Sequence, residues 1–144
     1  YVINSNDRLS GYKAALAERH VDFDDQLVVE TDGTYQSSYD QAKKLVEAGV
    51  KAAYVSNDNL AVGLLNGLTD NGVKVPDDFE IISSNDTTYT KISRPTISSI
   101  TQPLYDIGAI AMRLLTKLMD GKDSTADEKD VILDHGFAQR QSTR

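Results

Sequence analysis

Residues 51–84 read KAAYVSNDNLAVGLLNGLTDNGVKVPDDFEIISS and hold a complete strand–helix–strand unit. Lys51–Ser56 is a short apolar run of strand length. A helix follows from about Asn59 to Asn71 and stops at Gly72. Pro76 marks the turn into a second strand, Phe79–Ser84. Two strands joined by a helical crossover imply parallel pairing, because a parallel pair cannot be closed by a tight turn. Upstream, Gln36–Ala48 reads as a helix ended by Gly49, a residue suited to the left-handed position just past a helix. Before it lie a short apolar strand, Leu27–Val29, and a helix containing Gly11–Arg19 with Leu9, Tyr12, Ala15 and Leu16 on one side. Downstream, Pro95 precedes a strand at Thr96–Thr101.

Pro103 fits the first turn of a long helix, where its missing N–H would be unpaired anyway. Leu104, Ile107, Ala111, Leu114, Leu115 and Leu118 then recur at three and four residues and make one apolar stripe. Gly121–Lys129 is poor in apolar residues and reads as a linker or exposed loop. Asp130–Gln139 is strand-like around Val131–Leu133 and again around Phe137. The alternation predicts an α/β fold with a doubly wound parallel sheet. Its first helix follows no strand, and the stripe at 104–118 lies beyond the last βα repeat. Both features read as a chain that starts partway through a fold.

Composition narrows the function. The chain has 144 residues, 40% hydrophobic and 26% charged, the balance of one soluble globular domain. No apolar run is long enough to span a bilayer, and no signal peptide opens the sequence. The absence of cysteine excludes disulfides and thiolate-ligated metals. A net charge of −7 argues against a phosphate backbone as this segment's own partner.

The sequence carries no catalytic signature. There is no nucleophile elbow, no phosphate loop and no dinucleotide fingerprint; Gly63 and Gly67 lie inside a helical pattern. His20 and His135 stand far apart without a metal-binding context. Asp24–Asp25, Asp77–Asp78 and Asp127–Glu128 sit in turns, where aspartate is favoured for local hydrogen bonds. The reading is a binding protein, not an enzyme, with neither metal nor cofactor.

Ligands of open α/β sheets bind beyond the carboxyl ends of the strands. Those ends carry Thr31–Asp32, Ser56–Asn57–Asp58 and Ser84–Asn85–Asp86, short hydrogen-bonding side chains suited to sugar hydroxyls. For Asp58 the sequence favours capping of the following helix. Asn57 and Asn85 are equally consistent with local structure and with ligand contact. On the long helix, Asp106, Arg113 and Lys117 fall at spacings of seven and four, away from the leucine stripe. Arg113 and Lys117 stack one turn apart and repel mildly unless an anion bridges them, and a phosphate is suited to that. Ala109 and Ile110 would give such a site an apolar floor. Spacing alone favours a solvated helix face.

Five segments carry a family resemblance: RLSGY (8–12), SNDNLAVG (56–63), GVKVPDDFEII (72–82), RPTISSITQP (94–103) and RQSTR (140–144). Together they resemble the LacI/GalR transcription regulators from the middle of the effector-binding core to its C-terminus. QPLYDIGAIAMRLLTKLM (102–119) and FAQRQSTR (137–144) are closest to the members of that family that serve carbon catabolite control. The resemblance covers essentially the whole chain and implies a periplasmic-binding-protein-like fold of two α/β subdomains behind a helix-turn-helix domain. It divides the chain into 1–101, the C-terminal subdomain without its first strand; 102–134, a helix and strand of the N-terminal subdomain; and 135–144, the return to the C-terminal subdomain. It further implies a cytoplasmic homodimer that reaches operator DNA only through an N-terminal domain outside this sequence.

Family effector contacts fall on Arg8, Asn57 and Asn85. The family pattern Gly-(Phe/Tyr)-Asp stands here as Ser83–Ser84–Asn85, which removes a carboxylate acceptor and weakens the case for tight sugar binding; phosphorylated sugars remain as weak ligands. That departure fits a regulator whose main corepressor is serine-phosphorylated HPr. The resemblance places Arg113 and Lys117 at the phosphoserine, with Tyr105 and Asp106 nearby, and so reverses the reading of that helix face. The competing expectation is a periplasmic or lipoprotein sugar-binding protein of the same fold. A flavodoxin-like enzyme would need a phosphate loop after a first strand, a region outside this sequence.

Overall fold

The computed structural model describes residues 2–121 and 131–144. In chain order these form α1 (Val2–Glu18), α2 (Tyr35–Glu47), β1 (Ala52–Tyr54), α3 (Asp58–Asp70), β2 (Glu80–Ser84), α4 (Thr88–Ile92), β3 (Ser98–Thr101), α5 (Leu104–Met119) and β4 (Gly136–Ala138). The sheet runs β1-β2-β3-β4. The first three strands are parallel, with Tyr54 beside Ile82 and Ser84 beside Ile100. The fourth is antiparallel, with Phe137 beside Ile100. The crossover geometry expected of residues 51–84 is therefore present.

The core lies between α3 and the sheet. Leu60, Ala61, Leu64, Leu65 and Leu68 of α3 meet Val55, Phe79, Ile81 and Ile97, and Ala42 of α2 joins them from outside. Leu65, Leu68, Phe79, Ile81 and Ile97 are fully buried. At about 25 cal/mol per Å2 of apolar surface, each such side chain contributes roughly 2 kcal/mol. Helix ends follow local chemistry. Thr34 caps α2 by accepting the Ser37 N–H at 3.2 Å. Gly49 and Gly72 adopt positive φ just beyond α2 and α3, as the sequence predicts.

Three expectations are corrected. Leu27–Val29 is not a strand: Leu27 ends a short 3-10 turn, Asp25–Leu27, capped by Asp24. Leu27 and Val29 remain half-exposed, and no described strand lies alongside to take up ladder hydrogen bonds. Val131–Leu133 forms no strand either, whereas Phe137 is at the centre of β4. Asp58 is not the cap of α3. Asn57 holds that position in extended geometry and accepts the Leu60 N–H at 3.0 Å. The expected linker at Gly121–Lys129 falls outside the described residues apart from Gly121.

Beyond β4, Ser142 ties the C-terminal segment into the sheet with four hydrogen bonds. Ser142 is fully buried; its N–H donates to the Thr96 carbonyl at 3.0 Å, and its carbonyl accepts the Ile81 N–H at 3.0 Å. Its hydroxyl accepts the Ser98 N–H at 2.8 Å and donates to the Ile81 carbonyl at 2.5 Å. Ser142→Ala would leave the buried Ser98 N–H without its acceptor, at a cost of about 2 kcal/mol. Urea denaturation should show the midpoint falling at constant slope; an unchanged midpoint would contradict that role.

Helix α5 is different in kind. Its apolar stripe is present, yet none of its residues is buried: Leu104 is 65% exposed, Met112 61% and Leu118 53%.

Candidate functional site

The strands β1 and β2 are parallel neighbours, so Asn57 and Asn85 emerge at the same edge of the sheet. Arg8 of α1 reaches that edge: its Nη1 donates to the Ser56 carbonyl at 2.6 Å. The structure thus brings Arg8 beside the residue preceding Asn57. The Asn57 oxygen is committed to the Leu60 N–H, so its amide NH2 is the group left to donate. Thr31 and Asp32 form no strand end. Asp32 instead organises the turn into α2, accepting the N–H and hydroxyl of Thr34 at 2.9 and 2.7 Å.

Asp58 lies behind the edge as an internal strut. It is 2% exposed, and its carboxylate accepts the Ser83 hydroxyl at 2.5 Å and the Thr87 N–H at 2.6 Å. It stands in the first turn of α3, where the helix dipole favours a negative charge. Asp58→Ala would strand both donors and separate the β1–α3 turn from the β2–α4 loop, for a loss of about 2 kcal/mol. Thermal or urea unfolding checks this directly.

Asn85 and Asp86 follow β2 with positive φ, 107° and 54°. Asn85 Oδ1 accepts from Gln102 Nε2 at 2.9 Å. Asp86 is held from three sides: Arg140 Nη2 at 2.7 Å, Thr90 Oγ1 at 3.0 Å and Lys91 Nζ at 3.4 Å. Burial pushes the Asp86 carboxyl up. The Arg140 and Thr90 hydrogen bonds and the charges of Arg140 and Lys91 outweigh it, leaving the group below the ordinary carboxylate range. A folded value below the unfolded one, about 3.9, means this group stabilises the fold above that pH and ceases to as pH falls through the folded value. Asp86→Asn should therefore lose less stability than the parent between neutrality and acid. Denaturation curves at pH 7, 5 and 3 test this, and parallel losses in the two proteins would contradict it.

Tyr105, Asp106, Arg113 and Lys117 all lie on α5. Tyr105 is 87% exposed, Asp106 and Arg113 are exposed, and Lys117 is partly buried. The two cations lie one turn apart, Arg113 away from the leucine stripe and Lys117 at its flank, three residues from Leu114. All four lie on one helix, and Gln102, two residues before it, is hydrogen-bonded to Asn85 at the sheet edge. An open depression of about 470 Å3, lined by Thr69, Val73, Lys74, Asp77 and Arg94 among others, contains none of these residues. Among the described residues, no cluster of His, Asp or Glu is placed to hold a metal ion, and no helix is long and apolar enough to cross a membrane.

The sequence reading assigns no role to Gln102 or Arg140, and it places Asp86 at a strand end without its partners. Gln102 lies 17 residues from Asn85 and Arg140 is distant in the chain from Asp86, so periodicity carries no trace of either contact. The RQSTR segment was conspicuous only as a family mark.

The chain belongs to the periplasmic binding protein-like domain family, whose model matches residues 3–143. Within that family its relatives are LacI-family transcription regulators. It is 47% identical to catabolite control protein A of Streptococcus mutans over 99% of this chain and 42% of that protein. It is 42% identical to catabolite control protein A of Priestia megaterium over 99% of this chain and 43% of the relative. Among solved structures, the transcription regulator CcpA of Lactococcus lactis superposes with a TM-score of 0.89 at 46% identity, covering 97% of this chain and 51% of that one. A complex of the transcriptional regulator CelR with cellobiose superposes at 0.83 with 27% identity, covering 94% and 41%. The chain thus spans about two-fifths of the length of the curated relatives it matches.

Proposed function

We propose that this chain is the greater part of the effector- and corepressor-sensing core of a cytoplasmic transcription regulator of carbon catabolite control. One observation carries the reading: near-complete coverage by catabolite control protein A at 47% identity, in a chain whose exposed α5 presents Arg113 and Lys117 one turn apart. Residues 1–101 and 135–144 belong to the C-terminal subdomain and 102–134 to the N-terminal one. That division gives the uncovered stripe of α5 its partner in the rest of the N-terminal subdomain.

Serine-phosphorylated HPr docks on α5 through Arg113 and Lys117, with Tyr105 and Asp106 alongside. A phosphoserine brings nearly two negative charges and three strong acceptor oxygens to that pair. Arg8, Asn57 and Asn85 form one wall of the effector cleft. Both Arg8 and the amide NH2 of Asn57 are donors, which favours a phosphorylated sugar over its neutral parent. The regulator acts as a homodimer, because two-fold operators are read by two-fold proteins.

Calorimetry on the full-length regulator tests the docking: serine-phosphorylated HPr should bind at least tenfold more tightly than unphosphorylated HPr, a difference of about 1.4 kcal/mol or more. Equal affinities would overturn the partner. The segment by itself, acidic and without a helix-turn-helix, is expected to retain no operator in a gel-shift at physiological salt. Sequence-specific retention would contradict that.

A further inference from the structure

Non-glycine residues rarely take positive φ, and two in succession persist only where the surroundings over-determine them. Asn85 and Asp86 are such a pair. Their backbone is fixed by β3: the Asn85 N–H donates to the Ile100 carbonyl at 3.0 Å and the Asp86 N–H to Ser99 Oγ at 3.1 Å. Their side chains are fixed from elsewhere. Gln102, which holds the Asn85 oxygen, stands between β3 and α5. Arg140, which holds the Asp86 carboxylate, stands just past β4 and is itself anchored by Nη1 on the Ile97 carbonyl at 2.8 Å. The two partners therefore sit on the outgoing and returning limbs of the excursion that carries α5.

We propose that Gln102 and Arg140 are the positioning residues of the effector cleft: together they hold the Asn85–Asp86 elbow in the left-handed geometry that presents Asn85 to a ligand. This rests on the reading of Asn85 as a cleft residue. The clamp divides its work by chemistry. Arg140 and Asp86 are mostly buried, 18% and 16% exposed, so their pairing is shielded from salt and sets where the elbow lies. Gln102 is exposed, and its neutral amide sets how the Asn85 side chain is turned. Cleft geometry and the path of the chain into and out of α5 are fixed by the same four side chains.

The test uses the full-length regulator with Gln102→Ala, Arg140→Met and Arg140→Lys. Gln102→Ala removes one exposed amide and leaves the core untouched, so it remains folded even if Arg140→Met does not. Native-state hydrogen exchange at the Asn85 and Asp86 amides should rise about tenfold in Gln102→Ala and Arg140→Met, while Leu64 and Leu65 in α3 keep the parent rates. A purely structural loss would move all four together. Glucose 6-phosphate affinity should fall several-fold in the same two variants, and Arg140→Lys, which keeps the charge opposite Asp86, should recover most of it. If the parent binds glucose 6-phosphate and Gln102→Ala and Arg140→Met bind it equally well, the positioning role is overturned while the cleft stands. If the parent binds none, the assignment of Arg8, Asn57 and Asn85 to a cleft fails, and the positioning role fails with it.

Discussion

Gly67→Val is expected to destabilise the fold by about 3 kcal/mol or more, the upper end of what overpacking usually costs. The reason is where α2 and α3 cross. A Cβ at Gly67 would stand 2.5 Å from the Tyr39 carbonyl oxygen and 2.7 Å from the Ala42 Cβ, and one at Gly63 would overlap the Tyr35 carbonyl oxygen. These are mostly backbone atoms, which cannot rotate aside as a side-chain tip can. The helices would have to separate along the contact that buries Ser38 and Ala42. Separation would also stretch the hydrogen bonds from Tyr39 to Asp70 (2.7 Å) and from Asn66 to Tyr35 (2.8 Å). Gly108, in α5, provides the comparison: a Cβ there meets nothing within 4 Å, so Gly108→Ala should be neutral or stabilising by up to about 1 kcal/mol. Urea denaturation of both variants separates packing from helix propensity. A Gly67→Val midpoint equal to the parent's would show that the helices do not cross this closely.

Arg113→Ala in the full-length regulator is expected to weaken binding of serine-phosphorylated HPr by about 2–3 kcal/mol. Arginine offers a planar fork that can hold two phosphate oxygens at once, whereas lysine is a compact, strongly hydrated point charge. Lys117→Ala should therefore cost less, and its effect should shrink more steeply as salt is raised. Neither substitution should alter the affinity for unphosphorylated HPr, because the interaction removed is with the phosphate. Calorimetric titrations at two ionic strengths distinguish the two residues. If both variants bound phosphorylated HPr as tightly as the parent, the polar face of α5 would be a solvated surface.

Much of the fold was legible because its signals are local. KAAYVS, the helix after it and FEIISS announce themselves by apolar runs and turn residues within 34 residues, and the observed β1–α3–β2 unit follows them closely. The apolar stripe of α5 was equally plain, although periodicity reports which face is apolar and not what covers it. Leu27–Val29 failed for the complementary reason: an apolar triplet has strand propensity, but a strand exists only where a neighbour receives its hydrogen bonds. The short α4 was missed because Thr88–Ile92 is five residues long and too brief to display a period.

The candidate site divides in the same way. Asn57 and Asn85 could be placed at one sheet edge because parallel topology puts strand ends together. Asp58 was misassigned because an aspartate next to a helix start looks like a cap, and nothing local shows that Ser83 and Thr87 approach it from 25 and 29 residues away. The clamp of Gln102 and Arg140 on the elbow depends on the same kind of long-range closure.

Operator affinity of the full-length regulator, measured by fluorescence anisotropy on a catabolite-responsive operator at fixed physiological salt, should depend on the phosphorylation state of HPr. Three titrations suffice: regulator alone, with unphosphorylated HPr, and with serine-phosphorylated HPr. Only the phosphorylated form should tighten operator binding, by at least tenfold, and Arg113→Ala should abolish the gain while leaving the affinity of the regulator alone unchanged. Operator binding that is the same in all three titrations would contradict that dependence.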